Sequence, residues 1–247
     1  MSARWPQQAP LRRAPADAAT VAALQQVLTA RIQPHLKAAR IAPAELPGCD
    51  GLRLFLLNDD FPHDALSPEE MTWALNEPYY WPFCWASGLA QAWQILEDPA
   101  LVRGKTVLDF GTGSGVVAVA AALAGAARVV ACDIDPVSLE ATAANAALNG
   151  VSLDLCDDFF TLDERFDVLF GADVLYDMAN RAFLPAFLDR ADQVWIADSR
   201  VKQLVADDYR HTGSVMAETR PDLNEFDEFR RVNLYHGQRR AIADHAG

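Results

Sequence analysis

The stretch Val107-Leu108-Asp109-Phe110-Gly111-Thr112-Gly113-Ser114-Gly115 constrains this chain more than any other. It joins a short apolar run, Val107 to Phe110, to an Ala/Val-rich segment, Val116 to Leu123, that Gly125 closes, and so reads as a strand, a tight turn and a helix. Glycines in such a turn permit positive φ and let a ligand approach the backbone with no Cβ in the way. About 20 residues further on, Asp133 falls at the end of a second strand, Arg128 to Ile134, where a carboxylate can bond ribose hydroxyls. Asp135, Pro136 and Gly150 then mark the cap, first position and end of the next helix.

The alternation continues. Ser152 to Leu155, Phe166 to Phe170 and Val194 to Ala197 read as strands, and Ala179 to Arg190 as a helical stretch. This rhythm predicts a doubly wound α/β domain with a mostly parallel sheet covered on both faces. Ser214 to Thr219 and Phe229 to Tyr235 add two strands joined by an acidic loop, Pro221 to Glu228, and predict an antiparallel hairpin on the sheet edge, for seven strands in all. Upstream, helical spacing runs from Ala16 to about Arg40, with Pro34 kinking or ending its first half. A strand at Leu52 to Leu57 comes next, then a helix opened by Ser67, Pro68 and Glu70, and another from about Ser87 to Leu96. Residues 1–60 are expected to form a tail and helical extension, and 61–247 the main domain. The aromatic segment between the helices, Tyr79 to Trp85, suits either a hydrophobic plug on the sheet or a wall over a ligand.

Charge narrows the partners. The net charge of −13, with basic residues scattered, repels a phosphate backbone and argues against nucleic acid as a substrate, while it favours encounter with a basic partner. No apolar run reaches the length of a membrane span. Cys49, Cys84, Cys132 and Cys156 show no CxxC spacing and the five histidines show no ligand spacing, so buried free thiols, no metal and a reducing compartment, the cytoplasm, are expected.

The ligand can be argued from the turn itself. A dinucleotide fingerprint leaves the helix N-terminus free for pyrophosphate, whereas here the loop reads Gly-x-Gly-x-Gly with Asp109 two residues ahead of it. A carboxylate there disfavours pyrophosphate and favours the sulfonium and amino groups of S-adenosylmethionine. Asp157, after the third strand of the domain, is placed to accept from the adenine amino group, with Asp158 competing for that role.

These motifs, with Trp81 to Trp85, Leu101-Val102-Arg103-Gly104-Lys105, Cys132 to Pro136 and Gly171-Ala172-Asp173-Val174-Leu175-Tyr176-Asp177, closely resemble the seven-strand protein-lysine methyltransferases, over roughly Tyr79 to Asp198. The branch most similar acts on the β subunit of electron transfer flavoprotein, which makes that subunit the first candidate acceptor. Asp109, Gly111, Thr112, Gly113 and Gly115 of the turn, with Asp133, Ile134, Asp157 and Asp173, are expected to bind the cofactor, and the resemblance implies that Trp85 lies over it. It also implies that the Asp-x-x-Tyr element, Asp173 and Tyr176, lines the acceptor channel and is catalytic. Where that branch carries Asp-Pro-Gly-Arg after the fifth strand, this chain has Asp198-Ser199-Arg200-Val201, and no Asn-Pro-Pro-Tyr run stands after the fourth. A small amine or heterocycle as acceptor, or a cofactor-binding module without catalysis, are the other readings the residues allow.

Overall fold

The computed structural model describes residues 12–62, 65–77, 79–175 and 178–239. Asp17 accepts a bond of 2.8 Å from the Thr20 amide and caps the first helix, α1 (Ala18–Ile32). The helix ends there rather than near Arg40, because Pro34 has no N–H to return to the preceding turn. Beyond it lies a strand that the apolar pattern does not reveal: β1 (Ile41–Glu45) pairs antiparallel with β2 (Arg53–Leu57), Ile41 opposite Leu57. Pro43 is tolerated because a two-stranded sheet has only edges. Ser67 and Glu70 form the expected capping box of α2 (Pro68–Asn76), and Trp85 stands at the N-cap of α3 (Ala86–Glu97).

The main sheet is built in chain order from β3 (Thr106–Phe110), α4 (Val116–Leu123), β4 (Arg128–Cys132), α5 (Pro136–Leu148), β5 (Asp154–Cys156), β6 (Phe166–Ala172), α6 (Phe183–Arg190), β7 (Ala191–Asp198), β8 (Tyr209–Met216), the short α7 (Asp227–Arg230) and β9 (Arg231–Gln238). Its spatial order is β5-β4-β3-β6-β7-β9-β8, with β9 antiparallel to both its neighbours and every other pairing parallel. This is the doubly wound, mostly parallel seven-strand sheet expected of the sequence, edge hairpin included. The last two strands begin and end elsewhere than the apolar pattern predicts. Tyr209, not Ser214, opens β8, because its ring lies over Gly237 of β9, where a Cβ would approach to 2.7 Å, and its hydroxyl donates to Leu184 O at 2.7 Å. The acidic loop carries α7 within it.

Alternate residues of each strand serve opposite faces, as period two requires. Val107, Val129, Ala131, Val168 and Phe170 meet α3 and α4 on one side; Leu108, Val130, Cys132, Leu169, Val194 and Ile196 meet Phe187 and Leu188 of α6 on the other. The N-terminal elements join this core. Leu28, Ile32, Ile41, Phe55 and Leu57 pack with Trp81 and Phe83 against Ala141, Ala144 and Leu148 of α5. Among the described residues no helix is long and apolar enough to cross a membrane, and no cluster of His, Cys, Asp and Glu could hold a metal ion.

Candidate functional site

A cavity of about 1240 Å³ opens beyond the C-terminal ends of β3, β4 and β6. The topology puts it there. From β3 the chain builds outward through β4 and β5, then returns to place β6 on the other side of β3, and such a reversal leaves a crevice between diverging loops.

The glycine turn forms its floor. Gly113 has φ of 52° with nothing within 4 Å of an added Cβ, so the backbone itself faces open space at the cavity wall. Gly115, with φ of 78°, faces the protein instead, and a Cβ there would lie 2.8 Å from Thr142 Cγ2. It therefore serves the close approach of α4 to α5 and does not line the cavity. Gly111 and Thr112 do line it. The turn is held from behind by α5: Asn145 Nδ2 donates to Ser114 O at 2.8 Å, while its Oδ1 accepts from the Phe55 amide at 2.6 Å, and Thr142 Oγ1 donates to Gly113 O at 3.3 Å.

Three carboxylates, Asp109, Asp133 and Asp173, end the strands that surround the turn. Asp109 is 2% exposed, and its Oδ2 accepts from Thr112 Oγ1 at 2.6 Å and from the Ala118 amide at 3.1 Å. It is thus folded under the turn and takes up a free donor of the α4 N-terminus, the position a pyrophosphate would need. Burial pushes it up to about 7, against the two hydrogen bonds that pull it down. Asp133 is placed differently. Its Oδ2 accepts from the Gly113 amide at 2.9 Å and its Oδ1 from the Asp135 amide at 3.0 Å, so each oxygen is fixed in space and keeps lone-pair capacity toward the cavity. Beside it Ile134 is 87% exposed and lines the same wall, which Phe110, Phe159 and Phe183 complete as an apolar surface, the rings of the last two 5.2 and 5.3 Å from that of Phe110.

Asp157 is exposed and does not line the cavity. The chain turns there because Asp158 accepts from the Phe160 amide at 2.8 Å and caps a 3-10 helix that brings Phe159, not a carboxylate, into the wall. At the opposite end Trp85 lines the cavity with its indole Nε1 donating to Tyr80 O at 3.0 Å. The mouth is bracketed by a stack in which Trp73 of α2 lies between His35, at 4.3 Å, and Tyr79, at 4.9 Å. These two contacts attach α2, which has no buried residue, to the rim.

Asp173 comes directly after β6 with a left-handed φ of 50°, a conformation Asp adopts more readily than most residues. Its amide donates to Ala197 O, and its Oδ1 accepts from Ser87 Oγ at 2.7 Å and from both the amide and the hydroxyl of Ser199 at 2.8 Å. Burial raises it, while Ser199, Ser87 and the nearby Arg200 oppose the rise. Tyr176 lies outside the described residues. Ser87, Ser199, Asn145 and Arg200, all important here, carry no signal in the sequence, because each acts on a residue far from it along the chain.

The site suits a nucleoside bearing cationic groups. Asp133 offers two fixed acceptors for vicinal hydroxyls, the phenylalanine wall offers an apolar face for a base, and Asp109 closes the helix N-terminus to phosphate.

Known proteins are similar to part of the chain. A family model for the ribosomal protein L11 methyltransferase matches residues 91–183. The mouse electron transfer flavoprotein β subunit lysine methyltransferase is 38% identical over 108 residues, 42% of this chain and 42% of that one, and the human protein is 37% identical over a similar span. The ribosomal protein L11 methyltransferase of Tolumonas auensis is 55% identical over 55 residues, 22% of this chain and 19% of its own. A solved structure, the ribosomal protein L11 methylase of Lactobacillus delbrueckii subsp. bulgaricus, is 25% identical and covers 61% of this chain and 77% of its own with a TM-score of 0.48. The chain thus spans about two-fifths of the length of the curated relatives it matches first, and it is similar to protein-modifying methyltransferases through the part that builds the cavity.

Proposed function

We propose that the protein is an S-adenosylmethionine-dependent methyltransferase that modifies the side-chain amine of a lysine on another protein, with the β subunit of electron transfer flavoprotein as the first acceptor to test. The observation that carries the cofactor assignment is the pinning of both Asp133 oxygens beside the open backbone of Gly113, with Asp109 occupying the end of α4. The similarity of residues around Asp173 to the lysine methyltransferases carries the acceptor.

In this reading Asp133 bonds the ribose, Ile134 and Phe159 flank the base, and Gly111 to Gly113 lie along the methionine part, with Trp85 across from them. When bound, S-adenosylmethionine supplies a methyl group on a sulfonium, an excellent leaving group. The chain's part is then to place and desolvate the nucleophile. A lysine amine, with an ordinary pKa of about 10.4, is inert while protonated, so the site has to strip it of a proton. Asp173, whose Oδ1 is fixed by three donors, can orient the ammonium by charge and pass its proton toward the solvent at the mouth. Tyr176 is assigned to align the amine beside it. The free thiols suit a reducing compartment, the cytoplasm.

Incubation of the purified protein with methyl-labelled cofactor and that subunit, and separately with a cell lysate split into protein and small-molecule fractions, tests the proposal. Label on a lysine supports it. Label confined to small molecules assigns a small-amine acceptor instead, and absence of cofactor binding by calorimetry overturns the whole reading.

A further inference from the structure

Asp198 closes β7 and is wholly buried. Its Oδ1 accepts from the Arg200 amide at 2.8 Å and from the Val201 amide at 2.7 Å, but its Oδ2 has no hydrogen-bond partner among the described residues. An orphan carboxylate oxygen in a core is costly when charged. It is also not alone. Asp173 donates its amide to Ala197 O and receives the Ser199 amide on its carboxylate, so the residues on either side of Asp198 hold the other acid in place.

A buried and a half-buried carboxylate at the ends of the paired strands β6 and β7 cannot both ionise cheaply. The donors decide which gives way. Asp173 has three hydrogen bonds on Oδ1 and the charge of Arg200, whereas Asp198 has two backbone donors on one oxygen and a bare second oxygen. Burial first, and then the charge of Asp173, push Asp198 up to about 6, against the pull of the Val201 and Arg200 amides and of the Leu175 amide, which lies beyond hydrogen-bond distance. Among the described residues, the other ionisable groups facing the pair are Arg200, itself ion-paired with Glu225 and lying 4.0 Å over the Phe229 ring, and Tyr235 of β9.

We infer that Asp198 is a positioning residue for the cavity-facing acid: as the solution is acidified it takes up a proton on Oδ2 before Asp173 does, so that the negative charge at the end of β6 stays on Asp173. The catalytic consequence rests on the proposed function, but the proton sharing does not.

Carbon-13 NMR titration of the cofactor-free protein, labelled at aspartate carboxyls, tests it without any acceptor. In the parent chain the pair titrates in two steps, the upper near 6. Asp198→Asn keeps the Oδ1 acceptor and stands in for the protonated acid, so the Asp173 midpoint stays where it is in the parent. Asp173→Asn, whose side chain tolerates the same backbone, reads the pair from the other side and lowers the Asp198 midpoint. If folded Asp173→Asn leaves the Asp198 midpoint where it was, or folded Asp198→Asn lowers that of Asp173, Asp198 is not the acid that takes the proton first and the inference fails. With an acceptor in hand, the acid limb of kcat/KM stays in place in Asp198→Asn; a protein with no methyltransferase activity leaves the titration result standing.

Discussion

Replacing Gly115 and Gly113 by alanine, one at a time, separates two reasons for a glycine that the sequence presents as one motif. At Gly115, with φ of 78°, an alanine incurs the left-handed backbone cost of about 1–2 kcal/mol. Its Cβ would also stand 2.8 Å from Thr142 Cγ2 and 2.9 Å from Thr142 Oγ1, so α5 must move or Thr142 must turn and release Gly113 O. Overpacking of that kind adds about 1–3 kcal/mol. The sum, about 2–5 kcal/mol, lowers the melting temperature of a domain this size by roughly 10 °C. At Gly113 the backbone cost is similar but nothing lies within 4 Å of the new Cβ, which faces the cavity. That variant should melt only a few degrees lower, by about 1–2 kcal/mol, and lose more than about tenfold in affinity for S-adenosylhomocysteine. Thermal unfolding followed by circular dichroism and calorimetric titration with S-adenosylhomocysteine give the two numbers for each variant. A Gly115→Ala protein as stable as its parent, or a Gly113→Ala protein that binds as well as its parent, refutes the division of roles.

Two further tests address the supports of the turn. Asn145→Ala strands the buried Phe55 amide and Ser114 carbonyl together, so urea unfolding should show a loss of about 2–6 kcal/mol, and a loss below about 1 kcal/mol would mean that neither bond matters. Asp109 titrates near 7 in the folded chain against an ordinary 3.8, so the folded state prefers its proton; the stability it contributes is full below about 4 and is lost as pH rises to about 7. Asp109→Asn can still accept both donors on one oxygen. It should therefore show a shallower decline in urea midpoint between about pH 4 and 7, and parallel pH curves for the two proteins would contradict the assignment.

The cofactor end of the site is legible because its information is local. A strand, three glycines and two carboxylates within about 27 residues specify one turn, and the structure keeps their order and spacing. The pattern misses what is long-range. β1 is invisible because five residues containing Pro43 show no alternation, and its partner β2 supplies the reason it is a strand. Asp157 and Asp158 are adjacent acids that sequence cannot tell apart, and the capping of a 3-10 helix by the second turns the first outward. Asp109 reads as a charge aimed at a ligand, yet its Oδ2 is engaged within the protein, by Thr112 and α4. Asp173 reads as a side chain, while its backbone conformation and its bonds to Ser87 and Ser199 only arise once α3, β6 and β7 meet.

The side chain of Asn145 also sets an order of events for the growing chain. The hairpin of β1 and β2 has its docking partners on α5, where Asn145 holds the Phe55 amide across 90 positions, and just past its end, where Asn149 holds the Arg53 amide across 96. When β2 has just been made, α1 is present to meet it but α5 is not. Until α5 emerges, the apolar face of that hairpin, with Phe55 and Leu57, is exposed to whatever else is nearby, and loop closure over such a span is slow compared with local pairing. The last strands, by contrast, meet neighbours already in place. The hairpin therefore stays without its cover on α5 until that helix is made, and is a segment a holdase would find open during synthesis.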